Sequence, residues 1–295
     1  MFFRGYIIGH GGIEHLNRVA HTLQLIGVPV PRPSVLVKGT TQEDIEKIGV
    51  PYLLLTHPGG VPLSDPRFSS DSCSSVNIRH EVGAHLRLLH EVQNDWFGLP
   101  SDPGEWSECY SWSECFTLLM ENALDAASAI FLSSPGSGPS GNKILTEDDI
   151  RNLRQHLSRA IAFYIFDGVE VPSLIWCPSL DWERFVIVKG DRLDDETNFT
   201  GLRVSSFTGW EGAIWGDPLM EGAFANPSAE LMESYGTELI TLYRHKAKRL
   251  WYTIYATIVT MTNLKRNGGV VEGKPDETEL RKTLQHAMVQ LQTAQ

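Results

Sequence analysis

Polar side chains that can take part in chemistry are concentrated in the stretch CPSLDWERFVIVKGD, residues 177–191. Ser179 and Arg184 can donate hydrogen bonds there, and Glu211, in a second polar segment, can accept them. Such groups can polarise a substrate carbonyl when the fold holds the substrate in a reactive conformation. Arg184, Ser179 and Glu211 are therefore the candidate catalytic residues.

Two further residues of this stretch, Cys177 and Asp181, are candidate substrate contacts. No basic residue adjoins Cys177, so we expect a buried thiol there and not a low-pKa nucleophile. The four cysteines have neither CxxC spacing nor a paired histidine, and the three histidines between residues 80 and 90 are five positions apart, so they do not share a helix face. We expect no metal site and reduced thiols.

The composition is that of an acidic globular chain. Its 295 residues, 42% of them hydrophobic, suffice for one large domain or two lobes. The formal net charge is −11, whereas nucleic-acid binding needs clustered basic residues. The one basic run, RHKAKR (residues 244–249), falls in an amphipathic helical pattern and is interpreted as a solvated helix face. Nucleic acid is thus not an expected partner.

Membrane attachment is not expected either. The N-terminus MFFRGYIIGHGG has no long apolar core and no small-residue cleavage site. The longest apolar run, LWYTIYATIVTMTNL, is interrupted by threonines and is too short to cross a bilayer. The sequence predicts a cytoplasmic protein, and no pattern indicates its oligomeric state.

The periodicity of the chain predicts an α+β fold. A helix over residues 14–25 ends at a run of glycine and prolines, and two short β-type runs, SVLVKG and PYLLLTH, flank the polar segment TTQEDIEK. HPGGVPLSDP then resembles a linker. Three long helical patterns follow, the third opening with Thr146 three residues before Asp149, close to a capping box. Two β-type runs and further helices complete the chain.

Several punctuating segments together resemble the aminoglycoside phosphotransferase family, which has a protein-kinase-like fold. The likeness covers most of residues 14–260, and its segments are VPVPRP (28–33), VPYLLLTHPGGVPL (50–63), LHEVQNDWFGLP (89–100), GWEGAIWGDPLME (209–221) and YRHKAKRLWYTIYATIV (243–259). The resemblance implies two lobes: a reduced, β-containing N-lobe with the hinge in residues 1–60, and a large, mainly helical C-lobe in residues 61–295.

The catalytic segments depart from that family. Active members have a loop with His, then Asp as the base, then Asn, and a later Asp that binds magnesium with the Asn. In this sequence Cys177, Ser179 and Arg184 stand at the loop positions, and Gly209 stands at the later Asp. The resemblance therefore implies a degenerate, fungal-type member without phosphotransfer and without a nucleotide or metal cofactor.

The front of the chain is also short for this family. About fifty residues precede the hinge, which leaves no room for a Gly-rich hairpin over the phosphates. Glu14 stands where the ion-pairing glutamate is expected, and Arg4 is the best counterpart of its lysine partner, although an Arg does not place phosphates as a Lys does. Arg4 and Glu14 are therefore candidate substrate contacts.

Aromatic side chains surround the expected pocket. Two of the following six are expected to line it and the others to lie in the core: Trp176, Trp182, Trp210, Trp215, Phe185 and Phe207. Trp182 and Trp210 are the candidates for substrate contact. His57, after the hinge strand, is either a polar contact or an exposed turn residue.

Two classes of function remain open. The preferred one is a repurposed enzyme of specialised metabolism that binds a small apolar molecule and catalyses a cyclisation, pericyclic rearrangement or isomerisation without cofactor. The other is a non-catalytic pseudokinase that binds a ligand or protein partner. A deep apolar pocket favours the enzyme, and a collapsed cleft beside an exposed patch favours the binding protein. Residual kinase activity ranks last.

Overall fold

The computed structural model describes residues 5–8, 12–65, 68, 73–100, 109–132, 145–190, 201–236, 243–266 and 277–293. The strands are β1 (Gly5–Ile8), β2 (Val35–Gly39), β3 (Tyr52–Thr56), β4 (Val61–Pro62), β5 (Ser173–Ile175), β6 (Val186–Lys189), β7 (Arg203–Phe207) and β8 (Ile214–Gly216). The helices are α1 (Gly12–Leu25), α2 (Gln42–Ile48), α3 (Cys73–His90), α4 (Trp112–Phe131), α5 (Glu147–Ala162), α6 (Ala229–Tyr235), α7 (Tyr243–Arg266) and α8 (Glu277–Thr293). In these residues no helix has the length and apolar character needed to cross a bilayer.

The first sheet is a three-stranded antiparallel sheet in the order β1-β3-β2. In the central strand, Leu53 and Leu55 are buried and their neighbours are half-buried, which is the alternation of a strand with one covered face. Helix α1 packs on this sheet. Its residues Leu16, Val19 and Leu23, at helical spacing, are buried in the same core.

The polar segment between the first two β-type runs forms a helix, α2. Thr41 caps it, and Thr41 and Asp44 form a complete capping box, so local hydrogen bonds define its start. Gly49 ends it in the left-handed conformation with φ 91°. No residue of α2 is buried, and this explains why the apolar period gave no signal for it.

The segment interpreted as a linker contributes a strand to the second sheet, whose order is β4-β6-β7. Val61 pairs with Val188, and Pro62 with Ile187. Gly60, with φ 118°, allows this close approach, because a Cβ there would lie 2.3 Å from the Val188 carbonyl oxygen. The third sheet pairs β5 with β8.

Helices α4, α5, α7 and α8 form a second core with the β5–β8 pair. Its centre is aromatic: the Phe116 ring lies 4.8 Å from that of Phe166 and 5.1 Å from that of Tyr252, measured between centroids. Helix α7 packs against both α4 and α8. The capping box expected at the start of α5 is confirmed, since Thr146 and Asp149 exchange both hydrogen bonds.

Candidate functional site

A cavity of about 530 Å³ lies between α1, the loop before β6, the turn after β7 and the second half of α7. We call it the cleft cavity. Its apolar wall includes Leu99, Phe185, Ile214, Met220, Tyr255 and Val259. Its polar side chains include His15, Ser179, Asp181, Arg184, Glu211 and Asn263. Five predicted site residues therefore share one cavity: Cys177, Ser179, Asp181, Arg184 and Glu211.

The loop that begins at Cys177 is held from beneath by Glu221, which is fully buried. The Glu221 carboxylate accepts hydrogen bonds from the backbone N–H of Trp176 at 2.5 Å and of Cys177 at 3.2 Å. Gly222, the residue after Glu221, donates its backbone N–H to the Cys177 carbonyl oxygen at 2.8 Å. A Cβ on Gly222 would lie 1.8 Å from the Ser179 carbonyl oxygen, so this contact requires glycine.

Asp181 gathers the polar side chains of the loop. Its carboxylate accepts a short hydrogen bond from Ser179 Oγ and a second one from Arg184 Nη1 at 3.2 Å. The Asp181 side chain is 14% exposed and that of Arg184 is 24% exposed, so this ion pair is largely shielded from water. The hydroxyl proton of Ser179 and one N–H group of Arg184 are therefore already donated to Asp181.

Gly209 and Phe185 occupy the place where the resemblance would put a magnesium ligand. Gly209 has φ 75°, and a Cβ built on it would lie 2.5 Å from Phe185 Cδ1. Gly209 is the second residue after β7, and Ser179 and Arg184 lie in the loop before β6. A magnesium ion prefers carboxylate oxygen ligands, which none of these three residues supplies. These three positions therefore supply no carboxylate to a magnesium ion, and the carboxylates of the cleft cavity, Asp181 and Glu211, stand at other positions of the chain.

His15 and Glu211 face the cleft cavity from two different walls. His15 is half-buried on α1, and its Nδ1 lies 3.5 Å from Arg18 Nη2. Burial and the nearby Arg18 charge lower the pKa of His15, while Glu211 opposes this shift. Glu211 lies on the short 3-10 helix Trp210–Gly212 and is exposed. This arrangement places a neutral imidazole and a carboxylate in one cavity.

The remaining predicted contacts lie elsewhere. Trp182 is half-buried against the first core, and Trp210 is 3% exposed with its Nε1–H donated to the Phe207 carbonyl oxygen at 2.7 Å. His57 is exposed and accepts a hydrogen bond from the Gly59 N–H at 3.1 Å, within its own turn. Glu14 is exposed on α1. Arg4 lies outside the described residues.

Cys177 is 2% exposed, as expected for a buried thiol. Burial, reinforced by the nearby Glu221 charge, raises its pKa well above the ordinary value, which makes the thiol a poor nucleophile. Within the described residues, Cys109 and Cys115 are likewise buried free thiols. In the same part of the chain no group of three or more metal-ligating side chains is present.

Sequence reasoning missed His15 and the cavity-lining face of α7. Tyr255, Val259 and Asn263 recur every four residues, so they lie on one face of that helix. That spacing was a usable signal, but it does not distinguish a cavity wall from a core face. His15 follows the predicted Glu14 directly, and the turn of α1 brings the histidine, not the glutamate, to the cavity.

The basic run in α7 was interpreted wrongly as a solvated face. Lys248 is 5% and Arg249 is 8% exposed. Lys248 Nζ donates to Asp217 Oδ2 at 2.6 Å, and Arg249 donates to the carbonyl oxygens of Leu219 and, at 3.3 Å, Glu221. The buried Asp217 carboxylate requires a cation nearby, and the sequence did not show that α7 supplies it.

Solved structures similar to this chain come from phosphotransferases. The chain matches Plasmodium vivax ethanolamine kinase with a TM-score of 0.56 and 13% identity, over 99% of this chain and 77% of that one. It matches a Ralstonia eutropha protein described as an aminoglycoside phosphotransferase with a TM-score of 0.53 and 13% identity, over 98% of this chain and 85% of that one. No family model matches the sequence, and no curated protein matches it. The likeness establishes the protein-kinase-like fold.

Proposed function

We propose that the chain binds a small, largely apolar metabolite in the cleft cavity and converts it, by cyclisation or isomerisation, without nucleotide or metal. In this proposal it is a kinase-fold protein that has lost phosphotransfer. The observation that carries the proposal is the contact between Phe185 and Gly209: an aromatic ring lies where the side chain of a magnesium ligand would project.

The lining of the cleft cavity supports a small apolar ligand. Aliphatic and aromatic side chains from the loop, from β8 and from α7 form most of its wall. Small-molecule sites commonly combine such a wall with a few convergent polar groups. A volume of about 530 Å³ suits a metabolite of moderate size.

The proposed setting is specialised metabolism in the cytoplasm. Three buried free thiols are in keeping with a reducing compartment. The net charge of −11 argues against a nucleic-acid partner, and the proposal needs no membrane. The partner is therefore a small organic molecule.

A thermal-shift titration tests the proposal. The purified chain is titrated with ATP and magnesium, and in parallel with a panel of apolar terpenoid and polyketide acids. We expect stabilisation by a member of the panel and none by nucleotide, because ligands that bind only the folded state raise the melting temperature. Magnesium-dependent stabilisation by ATP would contradict the proposal, and silence to both would favour a non-catalytic binding protein.

Two matched variants locate the binding. Val259→Arg places a charged side chain in the cleft cavity and should abolish the shift. Val289→Arg makes the same change on α8, where the side chain is 58% exposed, and should preserve it. Equal effects of the two variants would place the ligand outside the cleft cavity.

A further inference from the structure

The two carboxylates of the cleft cavity differ in their hydrogen bonding. Asp181 is occupied, since Ser179 and Arg184 both donate to it. Glu211 is exposed and, within the part of the chain that the structure describes, makes no hydrogen bond or ion pair. The oxygens of Asp181 are already shared with two donors, whereas those of Glu211 remain open to a ligand. Glu211 is therefore the candidate general base of the two.

The contact between His15 Nδ1 and Arg18 Nη2, at 3.5 Å, favours one tautomer of the ring. A guanidinium group has only donors, so Nδ1 accepts from Arg18 when the ring proton is on Nε2. The lowered pKa of His15, caused first by burial and then by Arg18, keeps the ring neutral near pH 7. A neutral imidazole with a proton on Nε2 is a hydrogen-bond donor that retains its proton.

The fold places these two residues on neighbouring elements that both line the cleft cavity. Helix α1, which carries His15, packs directly against the 3-10 helix that carries Glu211. The Glu211 charge acts on His15. A ligand in the cleft cavity would contact a donor from α1 and a carboxylate from the turn after β7, with apolar side chains around both.

From this juxtaposition we infer that His15 and Glu211 form a proton-transfer pair that enolises a largely apolar ketone bound in the cleft cavity. The inference rests on the proposed function and specifies its substrate class and its chemistry. A donor for the carbonyl oxygen and a base for the adjacent carbon are the two groups that enolisation requires.

The proton balance of this step is complete within the site. Glu211 takes a proton from the carbon next to the carbonyl, and the electron pair of that C–H bond forms the C=C bond of the enolate. The negative charge moves to the carbonyl oxygen, which accepts a hydrogen bond from His15 Nε2–H. Glu211 then returns the proton to the same carbon or to a conjugated one, and in the second case the product is an isomer. No oxidant, reductant or co-reactant is needed.

Deuterium exchange measures this step directly. Flavanone, an apolar ketone, is incubated with the full chain in D₂O, and deuterium entering the carbon beside its carbonyl is followed by NMR. Binding is measured separately, by thermal shift, with flavanone and with flavan. Flavan has the same ring system without the carbonyl, so it can bind but cannot be enolised. We expect binding of both compounds and exchange in flavanone well above the rate without protein.

Three variants assign the roles. Glu211→Gln and His15→Phe should each lower the exchange rate by about 100-fold while flavanone still binds, because each removes one proton-transfer or charge-stabilising group. Glu170→Gln makes the same change at an exposed carboxylate outside the cleft cavity and should exchange as the unaltered chain does. Melting curves of all three confirm that they fold.

The outcomes separate this inference from the proposed function. Binding of flavanone without enhanced exchange, or exchange that survives Glu211→Gln, would overturn the inference and leave the proposed function in place. Binding of neither compound would count against the apolar site itself, and the inference would fall with it.

Discussion

The ring of Phe185 lies against the α-carbon of Gly209, so that a Cβ on residue 209 would stand 2.5 Å from Phe185 Cδ1. The two residues come from the end of the loop and the start of the turn after β7. Both line the cleft cavity. Introducing an acidic residue at position 209 would therefore require the ring to move.

The first prediction concerns Gly209→Asp. The variant should be less stable by about 1–3 kcal/mol, because a residue with a Cβ is strained at φ 75° and meets Phe185. It should gain no magnesium-dependent binding of ATP. Urea unfolding and calorimetric titration measure the two effects. In Gly209→Asp/Phe185→Ala the steric part of the destabilisation should be relieved. ATP binding by either variant would show that residue 209 alone controls whether the chain binds the nucleotide.

The second prediction concerns the buried ion pair of Lys248 and Asp217. Lys248→Met should lower the free energy of unfolding by about 3–5 kcal/mol, because it leaves the Asp217 carboxylate buried without its cation. The comparison is Lys246→Met, two residues away on the exposed side of α7, which should change stability by less than about 0.5 kcal/mol. Equal losses in urea unfolding would contradict the buried-pair interpretation.

The hydroxyl of Tyr252 links this pair to α4. It accepts from Trp112 Nε1 at 2.8 Å and donates to Asp217 Oδ2 at 2.7 Å. Tyr252→Phe should cost about 1–3 kcal/mol, since the buried indole N–H loses its acceptor. Tyr255→Phe removes a hydroxyl that makes no hydrogen bond within the described residues and should cost much less. Chemical unfolding of both variants measures the two losses of stability. Equal losses would contradict a stabilising role for the Tyr252 hydrogen bonds.

The pattern of apolar residues predicted most of the helices and strands. It predicted none of the contacts between residues that are distant in sequence. Helix α1 and strand β3 followed from their periods because one face of each is buried. The site is different, since His15 and Tyr255 come from opposite ends of the chain and line the same cavity only because the chain packs there. The buried Lys248 was misread for the same reason: its partner, Asp217, is distant in sequence, and a basic residue in a helix is usually solvated.

The loop itself shows how far residue type alone can lead. Ser179, Arg184 and Asp181, which were candidates from the sequence, line one cavity. The sequence did not show that they satisfy one another, because hydrogen bonds within a loop depend on its backbone path. Because Ser179 and Arg184 both donate to Asp181, Glu211 becomes the more suitable residue for the proposed chemistry. Glu211 was also among the candidates from the sequence.

A pH prediction follows from His15 and His85. Burial lowers the pKa of both in the folded chain, so the unfolded chain binds more protons as the pH falls through the ordinary histidine range. Stability should therefore decrease between about pH 7 and pH 5. In His15→Gln/His85→Leu the decrease should be smaller than in the unaltered chain. Urea unfolding at several pH values measures the slopes, and an unchanged slope would refute the assignment to these two residues.

The last prediction concerns Glu221, whose carboxylate holds the backbone N–H groups of Trp176 and Cys177. Glu221→Ala leaves both groups buried without an acceptor, and it should lower the free energy of unfolding by roughly 2–5 kcal/mol. Because these hydrogen bonds fix the start of the loop that lines the cleft cavity, ligand binding should weaken even at temperatures where the variant remains folded. Glu233→Ala is the matched comparison, since that side chain is 77% exposed and should change neither quantity measurably. Binding that is preserved in folded Glu221→Ala would mean that the cavity keeps its shape without this anchor, and that the other hydrogen bonds of the loop, from Gly222 and to Asp181, suffice to position it.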